Sequence, residues 1–136
     1  MGPRVGEYEV RAWRVAALAC AVGAIAAATL PWADFQGHSH WLKVGWVPFA
    51  SPVRIRDVLL NVALFVPFGV AAAASVSRRR LVTAAGLAGV LSLSGEYLQV
   101  YSHNRFPSAT DVVCNVLGAT LAAFAMTRIW TTPTHG

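Results

Sequence analysis

Glu96 is the residue of this sequence best suited to chemistry and hardest to place without a purpose. It is the only charge between Leu81 and Ser102. A carboxyl group in such a setting can act as a general acid or base, or can hold a positive group. Two more of the six acids share a phrase: residues 57–62 read DVLLNV and residues 111–116 read DVVCNV. Asp57 and Asp111 therefore each open an apolar run, followed four residues later by Asn61 and Asn115. Arg105, between Glu96 and Asp111 in the chain, supplies the opposite charge. Acids and an arginine brought together can bind a charged headgroup. No Ser/His/Asp order, Walker motif, CxxC or HExxH is present, so no named reaction is specified.

The elements that must position these groups are membrane helices. Hydrophobic residues make up 56% of the 136 and charged residues only 12%, with mean hydropathy +0.52. A soluble domain carries roughly 25% charge. About 20 apolar residues cross a bilayer, and four such stretches fit, near 14–32, 57–77, 81–102 and 111–130. The expectation is one all-α domain over residues 1–136, an integral bundle of four transmembrane helices, with residues 33–56 as a long outer loop. That loop is rich in Trp and Phe, which suit the headgroup layer. A cleaved leader is the other reading of the first stretch, but its apolar run is long for one and Pro31 and Trp32 suit an interfacial stop.

The net charge of +5 does not form a nucleic-acid footprint, because the positives gather at helix ends. Arg4, Arg11, Arg14, Arg78, Arg79, Arg80 and Arg128 fall on one side, against Lys43, Arg54, Arg56 and Arg105 on the other. The positive-inside rule then puts both termini in the cytoplasm. Cys20 and Cys114 lie inside predicted helices and make neither a disulfide framework nor a metal motif. His38 and His40 could pair on a metal, but no third ligand stands nearby in sequence, so they read as exposed loop histidines. No metal or cofactor is expected.

Helical rise turns sequence into depth. With Asp57 and Asp111 at the outer boundary, Asn61 and Asn115 lie roughly 6 Å deeper, and Glu96 lies about 9 Å below Ser102. Gly89, Ser92, Glu96, Gln99 and His103 recur at spacings of three or four and form one face. Packing that face against the two DVxxNV faces gives a polar pocket of Asp57, Asn61, Glu96, Gln99, Arg105, Asp111 and Asn115, with Arg105 as its cap. Gly86 and Gly89 permit close approach by a neighbour, Gly118 and Ala122 form a small-residue seam, and Pro67 with Gly69 marks a packing kink. A plainer reading competes: the two Asp residues favour helix N-termini, Ser108 or Thr110 caps the last helix, and the amides hydrogen-bond between helices.

Four pieces in order carry a resemblance: VPF at 47–49, DVLLNVALFVPFG at 57–69, SGEYLQ at 94–99 and RFPSATDVVCNVLGA at 105–119. Over residues 47 to about 123 the chain resembles the VanZ-like family of small bacterial membrane proteins. It departs from the family pattern at Asn104, where Gly is common, at Thr110, where an acid is common, and at Ala122, where Gly is common. The resemblance implies a multi-pass protein of the bacterial cytoplasmic membrane and a link to teicoplanin-type glycopeptide resistance. It implies no settled reaction. The function expected is a cell-envelope protein whose outer pocket engages a lipid headgroup or lipid-linked cell-wall precursor. A small membrane enzyme with Glu96 as acid or base, and a structural subunit packed on another membrane protein, are the alternatives. Membrane lipids are the expected partners, and nucleic acid is not.

Overall fold

The computed structural model describes residues 5–50, 52–75 and 79–131. Within them lie four long helices, α1 (Val5–Thr29), α2 (Ile55–Ser75), α3 (Arg80–Gln99) and α4 (Ala109–Thr131), and a short 3-10 turn, Trp41–Lys43. The described residues contain no strand, only isolated bridges between Phe35 and Ser102 and between Gly45 and Ser108. All four helices are long and apolar enough to cross a membrane. The chain is thus built as an all-α, multi-pass membrane protein.

Helix ends depart from the expected spans for local reasons. α1 begins at Val5 rather than near 14. Arginine is a good helix former, so Arg11 and Arg14 mark where the helix leaves the hydrocarbon and not where it stops. At the other end Pro31 disfavours helical backbone in the residue before it, and α1 closes at Thr29. α3 ends at Gln99 rather than 102, because the chain tightens into three-residue turns, with the Tyr101 and Ser102 amides donating to Leu98 and Gln99. α2 starts at Ile55, its Asp57 and Val58 amides held by the Arg54 carbonyl. The expected limit of the second span at 77, and Arg78 and Arg4, lie outside the described residues.

Bridges between residues 35–45 and 102–108 set those two segments at one end of the bundle, called here the loop end. α1 and α3 finish there and α2 and α4 start there, so α2 and α4 are parallel. Their contact is the tightest in the fold. A Cβ on Gly69 would collide with the Ala119 backbone, reaching its Cα at 2.7 Å, and one on Gly118 would collide with Val62, at 3.0 Å from its Cα. Two backbones meet with no side chain between. In lipid, where apolar burial drives helix association only weakly, such close packing is what joins helices. Phe65, Ala73, Ala119 and Ala123, all 0% exposed, fill the surrounding core, and Ala122 is buried beside them. Pro67 lies within α2 without ending it.

The other glycines differ. Gly89 is in ordinary contact with Val116, 3.7 Å from where its Cβ would stand, whereas a Cβ on Gly86 would meet nothing within 4 Å. Within the chain no helix approaches Gly86, which stands at open space. α1 is the most lightly held helix. Ala21 and Ile25, toward the loop end, are its buried residues, while Trp13, Arg14 and Ala17 face Pro67, Val70 and Ala74 across a hollow of about 490 Å³.

These contacts rank the glycines. Gly69→Ala and Gly118→Ala should each destabilise the bundle by about 1–3 kcal/mol or more, since backbone cannot yield as a side-chain tip can. Gly86→Ala should be neutral or stabilise by about 0.5–1 kcal/mol. Steric-trap unfolding in bicelles measures all three, and equal costs would remove the backbone contact as the basis of the α2–α4 interface.

Candidate functional site

At the loop end the four helices enclose a cleft of about 390 Å³. α2 lends it Asp57 and Asn61, α3 lends Glu96 and Gln99, and α4 lends Asp111 and Asn115. Arg105, on the segment joining α3 to α4, completes the polar lining, and Ala28, Thr29, Leu60 and Leu64 supply the rest. The seven polar residues singled out from sequence thus border one cavity. They do so because parallel α2 and α4 bring both DVxxNV phrases to one level.

Their individual bonds refine that picture. Glu96 Oε2 accepts the Ser108 amide at 2.7 Å, while the exposed Arg105 reaches the Ala28 carbonyl of α1 at a long 3.5 Å. Glu96 thus takes a backbone amide as its hydrogen-bond partner, while Arg105 borders the same cleft. Ser108 in turn is the N-cap of α4, its hydroxyl accepting the Thr110 amide at 3.1 Å. In a capping box, an acid three residues into a helix satisfies the N-cap amide; here an acid from a different helix does so. Gln99 donates to the Thr29 carbonyl of α1 at 3.0 Å. Asn61 hydrogen-bonds Asp111, and Asp57 is close enough for its charge to act on Asp111. Asn115 donates to Ser92 at 2.8 Å. Its other amide atom, Oδ1, is sealed from solvent with no hydrogen-bond partner.

Loop residues that composition left in the background hold the cleft's upper rim. Asp34 Oδ2 accepts the Ser102 hydroxyl at 2.6 Å and the Asn104 amide at 2.8 Å. These bonds, the Ser102 hydroxyl foremost, hold its pKa down at about 2. Lys43 donates to the His103 carbonyl at 2.8 Å. Gly45 exchanges backbone bonds with Pro107 and Ala109, each 2.8 Å. Phe49, at φ 58, gives its amide to the Thr110 hydroxyl at 2.9 Å. Thr110 thereby secures the loop. Asp34 marked only the end of a span in the sequence; its partners lie about 70 residues on, beyond any local pattern.

The histidines are arranged differently from the sequence expectation. His103 joins them as a third ring, 5.4 Å from His40, which lies 4.7 Å from His38. His40 is half-buried rather than exposed, and its Nε2 has no hydrogen-bond partner. Burial, then the charge of Lys43, lowers its pKa. The described residues contain no group of three or more His, Cys, Asp or Glu arranged to hold a metal ion.

An apolar groove of about 570 Å³ adjoins the cleft, walled by Trp41, Trp46, Leu93, Val112 and Val113. Glu96 borders both, so a single carboxylate divides a polar cavity from a greasy one. Trp41 and Trp46 stack at 6.0 Å, and Trp41 meets Tyr97 at 6.0 Å, which builds the loop side of the groove.

Compared with known proteins, residues 15–130 match a family model described as VanZ/LLP1. Neither the curated proteins nor the solved structures compared with the chain include a match.

Two outcomes follow from the bonds. Asp34 has a carboxyl pKa below its usual 3.8, so its contribution is complete above that value and is lost as pH falls toward about 2. Tryptophan fluorescence should report loop release in that acid window, and Asp34→Asn should abolish the transition; an unchanged titration in the variant refutes the assignment. Glu96→Ala leaves the Ser108 amide unpaired and should cost about 1–3 kcal/mol. Glu96→Gln keeps an acceptor and should cost less than half of that. Equal losses would show that charge, not the amide bond, is what Glu96 supplies.

Proposed function

The chain belongs to the VanZ/LLP1 family, and on that footing we propose that it is a cell-envelope protein whose cleft engages a lipid headgroup or lipid-linked cell-wall precursor. The carrying observation is the cleft itself: about 390 Å³ of polar-lined space at the loop end of an apolar bundle. Polar residues facing a bundle interior at membrane depth are costly and mark ligand paths more often than they serve packing. The arginine asymmetry supports placing the loop end outside the bacterial cytoplasmic membrane, with both termini in the cytoplasm. Engagement of this kind links the protein to teicoplanin-type resistance by altering the antibiotic's access to its target.

Binding is favoured over catalysis by the state of Glu96. One of its oxygens, Oε2, is engaged as the acceptor of the Ser108 amide, which leaves a single oxygen, Oε1, for a substrate proton. A purely structural subunit would have no use for a cavity with an unpaired buried acceptor.

Wild type, Arg105→Ala, Asn61→Leu and Glu96→Gln, expressed at equal membrane levels in a teicoplanin-sensitive bacterium, test the reading. Wild type should raise the inhibitory concentration, Arg105→Ala and Asn61→Leu should lose that effect, and the lipid and precursor profile should stay constant. A new lipid species that disappears with Glu96→Gln would establish the enzyme instead. Variants that all match wild type would leave the cleft as packing alone.

A further inference from the structure

The cleft is unevenly equipped. Among the described residues, Asp57, Glu96 and Asp111 bring three carboxyl groups to its lining, against the single guanidinium of Arg105. Glu96 uses one oxygen on the Ser108 amide, and Asp111 accepts from Asn61. Asp57 is exposed at the first turn of α2. One turn beyond Asp111, Asn115 is 3% exposed, and its Oδ1 has no donor. Its nitrogen donates to Ser92, and the oxygen is the free end of the amide. A sealed carbonyl oxygen without a donor is uncommon in folded chains and asks for one. The deeper part of the cleft therefore offers acceptors, and the one cation among the described residues of its lining is Arg105, on the exposed segment that follows α3.

No three acidic, His or Cys groups among the described residues are arranged to hold a metal ion. A group with N–H bonds spread in several directions answers the arrangement. Resting on the reading of the cleft as a headgroup site, we propose that its ligand carries a primary ammonium, seated among Asp57, Asp111 and Asn115 Oδ1. The phosphate of the same headgroup lies beside Arg105. An ammonium has three donors and no acceptor, so it satisfies Oδ1 and offsets the excess carboxylate together. A quaternary ammonium carries the charge but no N–H, and leaves Oδ1 unpaired. An anionic glycerol headgroup adds negative charge to a cavity already rich in acids. The apolar groove across Glu96 gives the attached lipid chain an adjoining surface. Two sources present this chemistry: an ethanolamine phospholipid, and a lipid-linked precursor whose peptide bears a lysine ammonium.

The full chain in nanodiscs of phosphatidylglycerol, doped in turn with equal small fractions of phosphatidylethanolamine, phosphatidylcholine or lysine-bearing lipid-linked precursor, is released into native mass spectrometry. Wild type should retain phosphatidylethanolamine or the precursor on the order of tenfold over phosphatidylcholine and phosphatidylglycerol. Which of the two is retained identifies the source. Asp57→Asn, whose side chain is exposed and leaves the fold intact, should remove that preference, and so should Asp111→Asn. Retention of phosphatidylcholine equal to that of the amine lipids, all of them above bulk phosphatidylglycerol, overturns the ammonium assignment while leaving the headgroup reading in place. Failure to retain any of the dopants over bulk lipid, in a chain whose melting transition is intact, overturns both.

Discussion

Everything at the loop end depends on two helix backbones touching. α2 and α4 meet where Gly69 lies on Ala119 and Gly118 lies on Val62, with no room for a single methyl group. Because water is absent from the hydrocarbon, burial of apolar side chains cannot by itself select this pairing over contact with lipid. Close approach does, and it fixes the register of the two helices to within an ångström or so. With the register fixed, both DVxxNV phrases come to one height and one side. The cleft is a by-product of that alignment: side chains short enough to leave space are paired at the level where the helices diverge.

The second determinant is the way α4 is started. Its N-cap, Ser108, is itself held by an acid on α3, so the first turn of α4 cannot form in its final place until α3 is alongside. The long loop adds to this through Gly45, which bonds to Pro107 and Ala109, and Phe49, whose amide donates to Thr110, all residues flanking that same cap. Three segments distant in sequence thus agree on one helix terminus. The positive φ of Phe49, a conformation that a bulky residue adopts only under constraint, is tolerated because its amide is tied to Thr110.

The membrane architecture was legible because its physics is local: each span is long, apolar and bounded by charge. The level of Asn61, Glu96 and Asn115 was legible too, since a fixed rise per residue converts spacing into depth. What sequence could not supply was who bonds to whom. Glu96 and Arg105 looked like partners because opposite charges attract, yet a backbone amide at a helix start offers Glu96 a partly positive end with fixed direction. Gly86 and Gly69 are the same residue in similar apolar runs, and only the path of the neighbouring helix separates open space from contact. Asp34 acts through the fold-back of a loop, which no periodicity announces, and His103, in step with the α3 stripe by spacing, lies beyond the end of that helix at Gln99.

The uneven seating of α1 has a mechanical corollary. Its buried residues, Ala21 and Ile25, lie toward the loop end, Gln99 holds Thr29 there, and a hollow separates Trp13 and Arg14 from α2. A rod clamped near one tip behaves as a lever: angular fluctuation moves the clamped tip least and the far tip most. The clamped tip is the part that walls the cleft with Ala28 and Thr29. Lipid can therefore jostle the far half of α1 while the wall it lends to the cavity keeps its place.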